Sequence, residues 1–404
     1  MAFLLVFTCV IGLIHLYLWR RLVHDTKPSP ALKLGASVLL LLLGLSIPAA
    51  MLLWFASSRP AHSPLTEIAF SWLGLMFYVF LILACVDAAR VLSWIVRGTR
   101  RALRPDHARA GARAHALPDA AAHTRRTFLA RAGATSALVA SSGIAALGAR
   151  SACFEITQPE IEISLARFPR ALDGYHLALI SDVHIGPMLD GRFLRHIVEQ
   201  TNRLRPDAVA VVGDLVDGKV EQIGAQVAEL ARLSAPHGVY FVTGNHEYYS
   251  GADAWIRFLN QLGLRVLMNE HVTLGDADAG GSRFDLAGIP DPTARHSRSL
   301  APDARAAVRG RDPERELVLL AHQPVQIDSA LEVGAGLQLS GHTHGGQLFP
   351  FGELTRLVQP YLAGLHRVPG STTQIYVSCG TGFWGPPMRV LAPAEITQLR
   401  LRRA

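Results

Sequence analysis

The chain has 404 residues, half of them hydrophobic, and a formal net charge of +7. That length suits two regions rather than one small domain, and four cysteines are too few for a disulfide framework. Residues 151–404 hold 23 basic and 27 acidic side chains, whereas the first 150 hold 16 and 5, so the basicity belongs to the amino-terminal part and a nucleic-acid-binding carboxy-terminal domain loses its main support.

Residues 3–19 are apolar except for Thr8 and His15, and residues 34–56 and 68–86 carry no charge. A membrane span needs roughly 20 apolar residues, so the second and third segments read as spans and the first as a slightly short one. The first lacks a basic leader and a small-residue cleavage site, which favours a true span over a signal peptide. Arg20, Arg21, Lys27 and Lys33 separate the first two spans, and Arg59 alone lies between the second and third. A dense run follows the third: Arg97, Arg100, Arg101, Arg104, Arg109, Arg113, Arg125 and Arg126. Positive loops stay in the cytoplasm, which places the amino terminus outside and residues 97–130 inside as a basic linker. Asp87, near the end of the third span, is the only acidic candidate for a buried charge and reads as interfacial. The Ala/Arg-rich stretch 97–123 has the composition to meet an anionic cytoplasmic leaflet.

Thr124-Arg125-Arg126-Thr127-Phe128-Leu129 resembles a twin-arginine export signal and precedes a weakly apolar stretch, 132–149. Residue 130 is Ala where a lysine is frequent, and the motif sits behind three spans, so a cytoplasmic linker helix is the alternative. If residues 131–150 cross, the region 151–404 lies on the outer face. Cys9 and Cys85 lie in apolar runs and read as packing residues; Cys153 and Cys379 could pair in an oxidising compartment.

From residue 161 short β-rich runs alternate with amphipathic segments of helix length. Strands are predicted at 176–181, 208–213, 239–243, 284–289, 317–321, 337–340, 375–378 and 396–401. Helices are predicted at 191–204, 220–233, 252–262, 303–309 and 325–332. This alternation implies an α/β domain with helix-covered sheets, and the crowding of later strands implies mixed sheets.

Nearly every predicted strand runs into a His, Asp or Asn, at the strand ends where α/β sheets bind ligands. In order these are Asp182-Val183-His184, Gly213-Asp214-Leu215-Val216-Asp217, Gly244-Asn245-His246-Glu247, His322 in Ala-His-Gln-Pro, and Gly341-His342-Thr343-His344-Gly345. Any one alone is weak, since a lone strand-end His is more often a structural residue. All five in sequence, each after a strand, leave little room for coincidence. Mixed imidazole and carboxylate ligands suit Mn²⁺, Fe or Zn²⁺ better than Ca²⁺ or Mg²⁺.

This pattern resembles the calcineurin-like metallophosphoesterase superfamily over residues 175–344. Gly-Asn-His-Glu-Tyr-Tyr, Gly-His-Thr-His-Gly-Gly-Gln and the tail near Cys379-Gly-Thr-Gly are similar to its bacterial, membrane-associated or exported phosphodiesterases. The resemblance implies a four-layer α/β/β/α sandwich, here preceded by an α-helical transmembrane region, and a centre of two divalent ions. Asp182, His184, Asp214 and His344 would bind one ion; Asp214, Asn245, His322 and His342 would bind the other, with Asp214 bridging. A pair of ions about 3.5–4 Å apart acidifies a bridging water for in-line attack on phosphorus. His246 would be the catalytic histidine, stabilising charge or protonating the leaving oxygen. Asp217 and Glu247 would orient histidines or loop backbone rather than bind metal.

The expected protein is a membrane-anchored phosphoesterase acting on phosphodiester or pyrophosphate bonds of envelope or lipid-linked substrates, in a bacterial cytoplasmic membrane with the catalytic domain on the outer face. A related lipid A pathway enzyme with a nucleotide-sugar lipid pyrophosphate substrate would require a cytoplasmic site. A non-catalytic metal- or phosphate-binding scaffold or sensor is the alternative, opposed by the complete ligand set. A transporter fails on span count and on scarcity of buried charge. No nucleic-acid partner is expected, and the sequence leaves oligomeric state and natural substrate open.

Overall fold

The computed structural model describes residues 2–56, 63–102, 119–275, 282–297 and 299–404. Of the basic run, Arg104, Arg109 and Arg113 fall outside these, as does Arg59. The chain divides into two compact units, one containing Pro64–Leu147 and the residues up to Ala56, the other containing Gly148–Ala404.

The first unit is built from helices Ala2–Trp19, Pro30–Ala56, Pro64–Ala102 and most of Asp119–Phe154. All four helices are long and apolar enough to cross a membrane. Ile11, Leu18, Ile47, Met76, Leu83 and Ala137 are buried among one another, while Leu13, Leu41 and Leu52 point outward. Apolar side chains on the outside are stable only against lipid. Asp87 is paired, lying 3.0 Å from Arg21 and accepting from the Tyr17 hydroxyl at 2.8 Å. The third span is longer than its uncharged core, because helix continues through Asp87 to Ala102. Arg131 donates to the carbonyls of Thr26 and Lys27 at 2.9 and 3.0 Å, so the start of the last helix lies beside the end of the first.

In the second unit the strands are β1 (Ile156–Thr157), β2 (Glu160–Leu165), β3 (Tyr175–Ile180), β4 (Ala208–Val212), β5 (Val239–Val242), β6 (Arg265–Val266), β7 (Glu270–Leu274), β8 (Phe284–Gly288), β9 (Leu317–Leu320), β10 (Leu337–Ser340), β11 (Gly364–Arg367), β12 (Gln374–Val377), β13 (Ala394–Glu395) and β14 (Thr397–Arg403). They form two six-stranded sheets, ordered β2-β14-β3-β4-β5-β6 and β11-β12-β10-β9-β8-β7, beside a short β1-β13 pair. Both sheets are mixed: β3, β4, β5 and β6 run parallel with β14 antiparallel to β3, and the parallel β8, β9, β10 and β12 are flanked by antiparallel β7 and β11.

Strand alternation sets the layers. In β4, Ala208, Ala210 and Val212 face the second sheet, packing with Leu286, Val318, Leu320, Leu337 and Leu339. Val209 and Val211 face the other way, with Ile180 and Phe241, against helices Gly191–Arg203, Val220–Val227 and Ala252–Gln261. On the far side Ala287, Leu319 and Val377 pack with Ala304, Ala307 and Ala330 of helices Ala304–Ala307 and Ile327–Glu332. The result is the four-layer α/β/β/α sandwich. Strands buried on both faces read as continuous apolar runs, as Ala-Val-Ala-Val-Val does in β4.

The eight predicted strands are present to within two residues at each end, and the helices are shorter than predicted. The 220–233 segment is α-helical only to Val227 and tightens into a 3₁₀ turn over Ala228–Arg232. The 303–309 segment keeps a single α turn, and 325–332 begins α-helix at Ile327 after a 3₁₀ turn at Pro324–Gln326.

Candidate metal centre

Every candidate ligand sits just beyond a strand end. Asp182 and His184 follow β3, Asp214 follows β4, Asn245 follows β5, His322 follows β9, and His342 and His344 follow β10. The first four come from one sheet and the last three from the other, so the site straddles the seam. Five of these residues hold left-handed backbone: Asp182 (φ 53°), His184 (φ 54°), Asp214 (φ 49°), His342 (φ 70°) and His344 (φ 52°). For a side chain with a Cβ this costs about 1–2 kcal/mol each, and strain of this kind gathers at functional sites. It turns each side chain out of the strand direction into a common space. Gly213 permits the close approach of the β4 and β5 loops. Its φ is 75°, and a Cβ there would meet Gly244 N and His322 Nδ1, both at 2.6 Å.

Ligand-capable atoms converge in three buried groups: Asp182, His184 and His344; Asp214, His322 and His342; and His184, Asp217 and His246. Within the first, His344 Nε2 lies 3.1 Å from His184 Nε2 and 3.5 Å from Asp182 Oδ1. In the second, His322 Nε2 lies 3.1 Å from Asp214 Oδ2. Asp214 links the groups, with Oδ2 4.0 Å from His184 Nε2. Asn245 Oδ1, His322 Nε2 and His342 Nδ1 are buried without hydrogen-bond partners. The Asp214–His322 proximity is therefore not aligned as a hydrogen bond. Orphaned buried acceptors are costly, and two oxygen- and nitrogen-lined groups of this kind fit divalent ions. The structure thus suits the two-metal centre that the sequence resemblance implies.

The electrostatics agree for two of the candidate ligands, whereas for His322 burial acts downward but the neighbouring Asp214, Asp182 and Asp291 dominate and hold it well above the ordinary range. Burial pushes His342 down to about 3, aided by His322, and burial with His184 and Arg389 holds His344 well below the ordinary range. Both are thereby kept as neutral imidazole, the form that binds metal. Burial raises the Asp182 carboxyl despite His322. For Asp214 burial also acts upward, but the surrounding histidines dominate and hold it well below the usual range.

Around these atoms lies a shell of orienting contacts. Asp182 accepts from Ser181 Oγ at 2.5 Å and from the His342 backbone N–H at 2.9 Å. Glu247 accepts from the backbone N–H groups of Asp214 (3.0 Å), Leu215 (2.8 Å) and Gly244 (2.6 Å), pinning two ligand loops. Burial, then Asp214, raises Glu247 to about 7. Asp217 Oδ1 lies 2.5 Å from His246 Nδ1, and its Oδ2 is 3.2 Å from His184 Nδ1, a nitrogen with no aligned partner. Burial opposes charge on both, yet Asp217 is lowered to about 2 and His246 raised to about 9 by their mutual attraction and by the neighbouring His184 and Asp214. His246 is mostly buried, with 14% of its side chain exposed, and lies between the rings of Tyr249 and Trp384 at 5.3 and 5.7 Å.

Sequence reasoning missed Arg389. Its guanidinium is buried and donates to the carbonyls of Gly382 (2.5 Å), Ala392 (2.9 Å), His344 (3.3 Å) and Gly380 (3.3 Å). Burial pulls it down to about 10. It thereby fixes the loop that carries His344. The only sequence signal was the Gly/Pro-rich run Gly-Thr-Gly-Phe-Trp-Gly-Pro-Pro-Met-Arg, which also supplies Trp384. Cys153 and Cys379, considered as a pair above, are both free.

The calcineurin-like phosphoesterase family model matches residues 175–346. An "uncharacterized metallophosphoesterase" of Helicobacter pylori (strain J99) is 45% identical over 226 residues, covering 56% of this chain and 59% of that protein; the match thus spans less than two thirds of the relative's length. A "transmembrane protein with metallophosphoesterase domain" of Danio rerio is 32% identical over 416 residues, covering 100% of this chain and 89% of that protein. The protein of the same name in Bos taurus is 32% identical over 407 residues, covering 96% and 86%. The likeness to the last two runs through the apolar helices as well as the sandwich, and with the four candidate spans it marks a membrane protein. Sequence, fold and the converging ligand groups agree: this chain belongs to the calcineurin-like metallophosphoesterase family.

Proposed function

We propose that the chain is a membrane-anchored hydrolase of phosphodiester or pyrophosphate bonds, acting on envelope or lipid-linked substrates at a dinuclear centre. One ion would be held by Asp182, His184, Asp214 and His344, the other by Asp214, Asn245, His322 and His342. The observation that carries this reading is the buried Asp214 carboxylate, which groups with His322 and His342 and lies 4.0 Å from His184 of the neighbouring Asp182, His184 and His344 group, with Asn245 Oδ1, His322 Nε2 and His342 Nδ1 left without hydrogen-bond partners. Mn²⁺, Fe or Zn²⁺ suits this donor set, and such ions supply Lewis acidity when bound, polarising the phosphoryl group and activating water.

The chain's own groups do the rest. Asn245 offers an oxygen without adding negative charge, which preserves attraction for a phosphate anion. Glu247 fixes the loops of Asp214 and Asn245. His246 directs Nδ1 to Asp217, which leaves Nε2 to hold the proton that a departing alkoxide or phosphate takes. Tyr249 and Trp384 pack edge-on against that imidazole, which would limit water around it.

The membrane is read as a bacterial cytoplasmic membrane, with the sandwich on its outer face. Supporting this are the positive loops around the first and third spans and the contact of Arg131 with Thr26 and Lys27, which starts the last helix on the side where the first ends. The twin-arginine-like Thr124–Leu129 stretch lies on that helix. A reporter fused after Ala404 tests the placement; activity confined to the cytoplasm overturns it.

The chemistry is tested with the detergent-purified full chain, Mn²⁺ and bis-p-nitrophenyl phosphate. Turnover that follows the metal is expected. Metal binding with no turnover under any divalent ion would instead support the sensor or scaffold alternative.

A further inference from the structure

We propose that the segment following the Gly-His-Thr-His-Gly-Gly-Gln loop, together with the tip at Leu391, enters the headgroup region of a phospholipid bilayer and delivers substrates from it to the metal site. Phe351, Leu354, Leu357, Val358 and Leu391 are all more than half exposed, with Leu357 at 80% and Leu391 at 81%. Exposed apolar side chains scattered singly need no explanation, but a contiguous group calls for a partner.

The group is contiguous by construction. Helix Phe351–Thr355 continues as turns through Gln359, with Leu357 N–H bonded to Leu354 O and Val358 N–H to Thr355 O. Phe351, Leu354 and Val358 follow the i, i+3, i+7 spacing of one helical face. The helix begins where Leu348 pairs with Val390, which places Leu391 beside its first turn. Leu391 is held outward at φ 58°, a conformation unfavourable for a branched residue.

Two observations select lipid as the occupant. The candidate span Thr124–Phe154 includes Gly148, whose carbonyl accepts from Arg389 N–H at 2.9 Å. A Cβ built on Gly148 would touch Val390 and Met388 at 3.0 and 3.3 Å. The strip that carries Leu391 therefore packs, within its own unit, against the last residues of that candidate span, where Arg150 is already exposed. Charge points the same way. Between Gly345 and Ala392 Glu353 is the only acidic residue, against the exposed Arg356 and Arg367, in a region that is acidic as a whole. A basic, apolar surface of this kind suits an anionic bilayer interface.

The same strip carries the site. Gln347 Nε2 donates to the carbonyls of Trp384 and Pro386 at 2.9 and 3.2 Å, three residues from His344. A bilayer against Leu357 and Leu391 would meet the mouth beside Trp384, so phosphoesters with a lipid tail would reach the metals without leaving the membrane. The bilayer contact stands independently of the proposed chemistry; only this consequence for substrate rests on it.

The test uses the full chain in vesicles of phosphatidylethanolamine and phosphatidylglycerol. An environment-sensitive fluorophore is attached at L357C, at L391C and, as control, at R192C on helix Gly191–Arg203, with the signal of the labelled unsubstituted protein subtracted. Doxyl-labelled lipid should quench positions 357 and 391 at least three-fold more than 192. Equal quenching overturns the proposal, and so does shielding from aqueous iodide without lipid quenching, which would mean a protein covers this face. In the same vesicles L354E combined with L357E should lower hydrolysis of a fluorogenic-headgroup phosphodiester lipid about ten-fold, leaving bis-p-nitrophenyl phosphate turnover within two-fold. If neither substrate is turned over by the parent protein, the phosphoesterase reading fails while the quenching result still decides the membrane contact.

Discussion

Asp217 Oδ1 lies 2.5 Å from His246 Nδ1, and the same carboxylate reaches toward His184 with its other oxygen. One residue that binds no metal in the proposed scheme thus orients both a ligand and the proposed proton donor. Partners of this kind are worth 10–100-fold in metal affinity or activity. D217N should lower kcat by about that factor, with a fall in affinity for one ion of the two, read by titration calorimetry. Unchanged kcat and affinity would remove Asp217 from the site's function.

His246 is assigned a different role, and the difference can be measured. H246A should reduce kcat by about 10²–10⁴ while metal content, read by elemental analysis, stays at the parent level. The deficit should shrink for substrates with a good leaving group such as p-nitrophenol, which needs no proton. Loss of metal in step with activity would show that His246 holds an ion instead.

Metal removal should destabilise the fold as well as silence it. An ion present at 100 times its Kd stabilises by about 2.7 kcal/mol, and roughly 2–4 °C of Tm accompany each kcal/mol at this domain size. Chelation should therefore lower the Tm of the full chain by about 5–10 °C, reversed by adding Mn²⁺. D214A should start from the lower Tm and show no response to either treatment, since both ligand groups lose their shared carboxylate.

Arg389 cannot be replaced by another cation. Its planar fork serves carbonyls of residues 344, 380, 382 and 392 at once, and lysine lacks that geometry. R389K should destabilise the protein by about 2 kcal/mol or more, through carbonyls left unpaired in the interior. Thermal unfolding with and without Mn²⁺ should show a weakened metal response, because the His344 loop is no longer fixed. A Tm equal to that of the parent would contradict the role.

How far the sequence could be read follows from where each residue's partners lie. The candidate ligands were legible because each directly follows a run of strand residues, so a local pattern carries both the fold and the proposed chemistry. Asp217 and Glu247 were legible for the same reason, sitting within three residues of a ligand. Arg389 was not: three of its partner carbonyls lie within nine residues of it in an irregular loop and the fourth is at His344, and nothing beside it signals a buried cation. β2 was missed although Glu160–Leu165 alternates as a strand should, because it pairs with β14 from the other end of the domain. Short elements such as β6, β11 and helix Asn245–Ser250 owe their form to tertiary contacts and are too brief for periodicity to emerge. The predicted helices ran too long where α-helix gives way to 3₁₀ turns, a change that apolar spacing does not register.

The strand ends that carry the candidate ligands belong to two sheets joined face to face by apolar packing between β4 and β9 or β10, with a hydrogen bond from His322 Nδ1 to the Val212 carbonyl at the ligand end. An ion gripped by Asp182 and His184 from one sheet and His344 from the other would act as a rivet through that seam. Emptying the centre would then do more than remove a catalyst: it would let the two halves of the sandwich breathe apart along the edge nearest the mouth. Loaded and empty protein should differ first in amide exchange at the carboxyl ends of β3 and β10, long before the helices on the outer faces register any change.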